Sequence, residues 1–207
     1  MVRAFLKITG LVVLLATLAG CGGMNTTSFF NASVVPTNTD IAFRSGIRYT
    51  APRGFCAIDA QTFQDEDKGF GAFVTCSGAH DRSRLLTVAH YPIDPENPPE
   101  NESLIQALGF GAKVLDVVDK NGVSYARLQN DLQDQDLQPE FNRLITQKGG
   151  YVIMANLYAR KRAAHNDFMA RQVLAQVLKG ITTDSSKIPQ LVRYLPTDPI
   201  VRPRLRP

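Results

Sequence analysis

The sequence predicts an α+β domain: a largely antiparallel sheet of about six to eight strands packed against a long C-terminal helix and one short helix. Three observations carry this. β-rich runs bounded by Gly, Pro, Asn and Asp recur from Phe43 to Ala159. Two connections between such runs, Asn121-Gly122 and Lys148-Gly149-Gly150, have hairpin chemistry. The stretch "HNDFMARQVLAQVLKGI" has apolar residues at helical spacing, so it buries one face.

The first residues are not part of that domain. In "MVRAFLKITGLVVLLATLAGCGG", Arg3 and Lys7 precede a twelve-residue run from Ile8 to Ala19 that is almost wholly apolar. A spanning helix needs about 20 residues, whereas an export signal needs fewer, so residues 1–20 are expected to be a cleaved signal peptide. The run ends in Leu18-Ala19-Gly20-Cys21, which resembles the lipobox of bacterial lipoproteins. That resemblance implies diacylglyceryl transfer to the Cys21 sulfur, cleavage before Cys21 and acylation of the new amino terminus. Two or three acyl chains hold a protein durably at a membrane, where one holds it only marginally. Lipoproteins with Asp after the cysteine tend to stay in the inner membrane. Gly22 follows here, so the resemblance points to the outer membrane, periplasm-facing, with the inner membrane as the alternative.

Residues 21–42 are expected to be a tether, because "GGMNTTSFFNASVVPTNTD" is rich in Asn, Thr and Ser and cannot bury enough to fold alone. The folded domain is expected over residues 43–181. "GIRYTAP" places Ile47 and Tyr49 on one face and stops at Pro52. "GFCAID" is a short strand, "QDEDKG" is a charged turn that leads from it into "GFGAFVTCS", and "GFGAFVTCS" and "RLLTVAHY" are longer strands. Four prolines in "PIDPENPPENES" then interrupt the sheet and lead into the short helix expected over Glu102 to Leu108.

Two hairpins follow. "KVLDVVDKNGVSYARLQ" turns at Asn121-Gly122, and "EFNRLITQ" turns through Gly149-Gly150 into "YVIMANLYA". The long helix carries Ala170, Val173, Leu174, Val177, Leu178 and Ile181 on its buried face, with Asn166 or Asp167 as its cap and Lys179-Gly180 at its end. Residues 182–207 form a Pro/Arg-rich tail. The opening segment Tyr49-Thr50-Ala51-Pro52-Arg53-Gly54-Phe55, the run of hairpins and the terminal helix together resemble the PsbP-like accessory-protein fold. This resemblance implies an accessory or interaction role and carries over no catalytic residue.

Charge and cysteines narrow the function classes. Without Arg3 and Lys7 the chain has 21 basic against 19 acidic residues. The excess sits in the tail, where Lys187, Arg193, Arg202, Arg204 and Arg206 face only Asp184 and Asp198. Export excludes a nucleic-acid partner. The tail arginines Arg202, Arg204 and Arg206, and the basic strand-helix junction Arg160, Lys161 and Arg162, are candidate contacts for an anionic lipid, lipopolysaccharide or an acidic partner. With Cys21 assigned to lipid, Cys56 and Cys76 remain as an even pair in an oxidising compartment, and a disulfide is expected. His80, His90 and His165 lack metal-ligand spacing with the cysteines, so no metal or cofactor is expected.

The segment Leu85 to Tyr91, "LLTVAHY", is similar to the histidine segment of trypsin-like serine proteases. Its partners are missing: the nearest match to the nucleophile segment is Thr183-Asp184-Ser185-Ser186-Lys187, without the glycines an oxyanion hole needs. His90 is therefore read as a strand residue alternating with Leu86 and Val88. The expectation is a non-enzymatic binding or accessory module in the envelope, with an unidentified envelope protein as partner. The alternatives are a small envelope hydrolase using His90 or His165 with a carboxylate, and a small-ligand carrier with an apolar pocket between sheet and helix.

Overall fold

The computed structural model describes residues 38–76, 83–94, 96, 98–100, 104–105, 112–130, 136–164, 166–184 and 186. In chain order its strands are β1 (Asp40–Ala42), β2 (Ile47–Thr50), β3 (Phe55–Ala57), β4 (Phe63–Gln64), β5 (Gly69–Thr75), β6 (Arg84–Pro92), β7 (Lys113–Lys120), β8 (Val123–Gln129), β9 (Leu137–Lys148), β10 (Tyr151–Arg160) and β11 (Ile181–Thr183). Between β10 and β11 lies the helix α1 (Asp167–Gly180), and a 3₁₀ turn spans Asp59–Gln61.

Eight strands make an antiparallel sheet in the order β3-β5-β6-β10-β9-β8-β7, with β4 also on β5. Burial is graded across it. The central strands β9 and β10 are the longest, and β10 is covered on both faces, which is why "YVIMANLYA" reads as a continuous apolar run rather than an alternation. One step out, β8 alternates, with Ser124, Ala126 and Leu128 inward. At the edge, β7 buries none of its eight residues. Both predicted hairpins form: Asn121 and Gly122 have φ of 53° and 73°, and Gly149 and Gly150 have 59° and 80°, the left-handed pairs that such turns need.

The fold class differs from the α+β layout expected of a long C-terminal helix and a second short one. Among the described residues strand outweighs helix by 55% to 15%, and α1 is the single helix with full bounds. Within the stretch expected to be the short helix, only Leu104 and Ile105 are described. Both are helical and buried, and the rest of that stretch lies outside the described residues. Nor is the long helix terminal. Ile181 continues the helical apolar series at i+11, but Ile181-Thr182-Thr183 is a β-branched run that favours extended backbone. It leaves the helix as β11 and pairs with β2, Ile181 opposite Tyr49. A second sheet results, ordered β1-β2-β11, so strand structure extends from Asp40 to Thr183.

This small sheet and α1 together cover one face of the large sheet. Ile41, Ile47, Tyr49 and Ile181 from the small sheet, and Val173, Leu174 and Val177 from α1, pack on Leu86, Val88, Leu144, Ile153 and Ala155. Full burial of each such side chain contributes roughly 1.5–3 kcal/mol, so this face holds most of the core. On the opposite face Phe141, Ile145, Val152 and Met154 pack with Leu104 and Ile105.

At its start, α1 is capped by Asn166, whose side chain accepts the Met169 N–H at 3.1 Å. Its end has no left-handed cap, since Ile181 is extended at φ −85°. Gly180 is required there by proximity instead: a Cβ would stand 2.4 Å from the Thr50 carbonyl oxygen. Gly180→Ala is therefore expected to lose on the order of 1–3 kcal/mol through a forced backbone shift. The measurement is a lower urea midpoint at unchanged m-value. A midpoint equal to that of the natural protein would mean that α1 and β2 separate freely.

Candidate functional site

Among the described residues, three groups of polar side chains bear on function, two of them buried and one facing solvent. The first is His90, near the end of β6. It sits on the face covered by the small sheet, opposite Gly69 of β5 and Ile153 of β10. The ring is wholly buried and enclosed by Phe43, Tyr49 and Tyr151 at centroid distances of 4.8, 6.0 and 5.5 Å. Nε2 lies 2.8 Å from the Ser45 hydroxyl, and Nδ1 lies 3.5 Å from the Tyr49 hydroxyl, which also donates to the Ala89 carbonyl at 3.2 Å. Tyr151 donates to the Ser45 carbonyl at 3.4 Å. Gly69 makes room for this arrangement, since a Cβ there would meet His90 Cε1 at 2.3 Å and Phe43 at 2.4 Å.

Burial pushes His90 down to about 4 and raises Tyr49 well above its ordinary range. The ring is thus neutral at pH 7, with one nitrogen to donate and one to accept. Histidine and hydroxyl are paired here as in a nucleophilic site. Yet Ser45 is only 3% exposed, so a substrate would reach the pair only if the two sheets parted. What the pair does in the closed fold is fasten the turn between β1 and β2 to the large sheet.

The second cluster lies on the other face of that sheet. Arg143 Nε donates to Asn156 Oδ1 at 2.7 Å, and Asn156 Nδ2 donates to Thr87 Oγ1 at 3.2 Å, making a buried polar row across β9, β10 and β6. The Arg143 guanidinium stands 5.5 Å from the centre of the Phe141 ring, which itself stacks on Tyr158 at 4.8 Å. Burial pushes Arg143 down from the usual arginine range, opposed by Tyr158 and Tyr91. Ser45 and Arg143 were both missed in the sequence reading. Ser45 sits in a turn and leaves no periodic trace. Arg143 does leave one, since it alternates with Phe141 and Ile145 on one face of "EFNRLITQ".

The third place is the end of the sheet where β10 runs into α1. Arg160 pairs with Asp136 at 3.5 Å, while Lys161 and Arg162 are exposed. Gln138 Nε2 donates to the carbonyls of Arg160 and Ala163 at 3.0 and 2.5 Å, so the junction is held in shape. Cys56 and Cys76 form the expected disulfide, with Cα atoms 5.2 Å apart. Cys21, His80, His165, Arg202, Arg204 and Arg206 lie outside the described residues. Among the described residues, no three His, Cys, Asp or Glu side chains gather as a metal site would require, and no helix is long and apolar enough to cross a membrane. The recess between the end of β10 and the start of α1, lined by Arg84, Tyr158, Asn166 and Ala170, has a cavity volume of about 10 Å³, the size of one water.

No protein-family model and no curated protein matches the chain. Among solved structures, it is similar to the solution structure of cyanobacterial PsbP (CyanoP) from Synechocystis sp. PCC 6803. The TM-score is 0.41 at 13% identity, over 80% of this chain and 98% of that one. It is also similar to a crystal structure from Bacteroides thetaiotaomicron VPI-5482, with a TM-score of 0.37 at 8% identity, over 71% of this chain and 48% of that one. The first bears the name of the family that the Tyr49–Phe55 segment resembles. The likeness is one of chain trace, and no residue role is transferred from either.

Proposed function

We propose that the chain is a lipid-anchored envelope protein, held through Cys21 at the periplasmic face of the outer membrane, which works as a binding or accessory module for another envelope protein. The observation that carries the binding reading is the outer edge of β7. Seven of its eight residues pair inward with β8, Leu115 falling at a bulge, and among the described residues no strand pairs on the other side. Val114, Val117 and Val118 are 37%, 37% and 38% exposed. A free edge with apolar side chains is a template for a partner's strand, in which main-chain hydrogen bonds give affinity and side chains give specificity. Lys113 and Lys120 at its two ends guard against indiscriminate pairing.

The two alternatives have less to support them. A hydrolase using His90 would need the enclosure around that ring to open, and a carrier needs a cavity of roughly 300 Å³ or more, far above the recess beside α1. The partner reading is tested by cross-linking the full protein in its own membranes, then capturing it. A protein that comes with the natural chain should fall by about tenfold or more with Val117→Lys/Val118→Lys, since charges on an edge block strand addition. It should be recovered unchanged with Phe63→Ala, a control at the other side of the sheet. Equal recovery with all three chains would sink the reading.

A further inference from the structure

We infer that the end of the sandwich formed by Lys161, Arg162, Phe168 and Met169 docks on an anionic phospholipid bilayer, so that the anchored domain is oriented as well as tethered. This rests on the anchored-module reading above. Phe168 and Met169, in the first turn of α1, are 68% and 41% exposed, and Phe168 is more exposed than any other large apolar side chain described. Directly before them, the junction presents Lys161 and Arg162 to solvent in a turn closed by the bond from Ala163 N–H to the Arg160 carbonyl at 2.8 Å. Arg84 joins this end, because it pairs with Ala159 and shares a recess with Ala164 and Asn166. Among the described residues, Arg84, Lys161 and Arg162 have no carboxylate partner, whereas Asp136 and Asp167 are taken up by Arg160 and Arg127. Exposed aromatic and thioether side chains bordered by free cations are what an interfacial contact requires. The apolar groups enter the headgroup boundary and the cations meet phosphate.

Two further observations choose the bilayer as occupant. The first is where the tether leaves. The β1 chain runs from Asn38, bonded to Ala57 N–H at 2.7 Å, towards Phe43 at the His90 end. Followed backwards, it points to the end where β5 finishes and β6 begins, which is the end of Arg84 and the junction. Only sixteen residues lie between Cys21 and Asn38, and as a flexible chain these span roughly 20–25 Å on average, so that end is kept near the membrane and even a weak contact is populated. The second is the charge of the opposite end. There Asp65, Glu66 and Asp67 in the turn between β4 and β5, and Asp184 beside Gly46, are interspersed with Arg44, Lys68, Lys120 and Lys148. An anionic surface therefore favours the end whose cations have no carboxylate partner over the end where both signs are mixed.

The chain contains no tryptophan, so Phe168→Trp makes a unique fluorescent reporter at the proposed contact, and Phe63→Trp makes its control at the opposite end, beside the acidic turn between β4 and β5. The full protein, purified as it is exported, is placed on phosphatidylcholine vesicles with and without roughly one-third phosphatidylglycerol. On the anionic vesicles the reporter at 168 is expected to shift to the blue and to be quenched by brominated lipid, while the one at 63 does neither. Adding Lys161→Gln/Arg162→Gln to the Phe168→Trp chain should remove most of the quenching. Equal quenching at both positions overturns the inference, as does quenching at 168 that ignores both the lysine-arginine pair and the lipid charge. So does a shift seen in native membranes but absent from pure lipid, which would mean a protein occupies this face. The mass of the N-terminal peptide reads the acyl chains separately, so a missing anchor and a missing contact give different results.

Discussion

Lowering the pH from 7 to 4 is expected to cost the fold about 3 kcal/mol through His90 alone. The ring titrates at about 4 in the folded protein, against an ordinary histidine value of 6.5. Between those values the unfolded chain binds a proton that the folded chain refuses, so acid favours unfolding. The stabilisation is complete above about pH 6.5 and is lost as the pH falls towards 4. A gap of about 2.5 units at 1.36 kcal/mol each gives the magnitude. The groups facing the ring are Ser45, Phe43, Tyr49 and Tyr151, none of them an acid that would stabilise an imidazolium. His90→Gln retains an amide for the Ser45 hydroxyl and cannot titrate. Urea midpoints taken at pH 7, 5.5 and 4 should converge for the two proteins as the pH falls, with His90→Gln the less stable at pH 7. If both lose the same free energy over that interval, the acid sensitivity lies in carboxylates and not in this ring.

How much of this was legible in the sequence depends on whether the determinant was local. The hairpin at Asn121-Gly122 was legible because two left-handed residues in succession have few other uses. The face of α1 was legible from its spacing, and its start from Asn166. β1 and β11 were not, because "DIA" and "ITT" are three residues long and have no period of their own. The β11 strand was hidden further by Ile181, which satisfies the helical series and the strand equally well. The fastening of Ser45 to His90 joins residues 45 apart, and only the stacking of the small sheet on the large one brings them together. His90 itself was correctly placed on its strand, alternating with Leu86 and Val88. What could not be read was that this position would be as fully enclosed as Leu86 and Val88, with a serine hydroxyl at hydrogen-bond distance.

The two edges of the large sheet are treated differently, and the disulfide marks the difference. At one edge β3 is only three residues long and pairs with β5 through Phe55, Cys56 and Ala57, too little ladder to hold an edge strand by itself. The Cys56–Cys76 bridge joins this strand to the residue just beyond β5, closing a loop of 20 residues that contains the 3₁₀ turn, β4 and the acidic turn. At the other edge β7 is eight residues long and unstapled, the edge proposed above to receive a partner. Removing the bridge is therefore expected to loosen the first edge and leave the second alone. In the chain-entropy account, closure of such a loop contributes about 3 kcal/mol, which for a domain of this size corresponds to a fall of roughly 6–12 °C in Tm. Cys56→Ala/Cys76→Ala should show that fall and should no longer respond to a reductant, whereas the natural protein should approach the same Tm when reduced. Amide exchange should accelerate first at Phe55–Ala57 and Phe63–Gln64, with β9 and β10 still protected. A loss below about 1 kcal/mol, or exchange that quickens equally at β7, would mean that β3 is held by its packing under Ile41 and Phe73, and that the bridge secures nothing the core does not already secure.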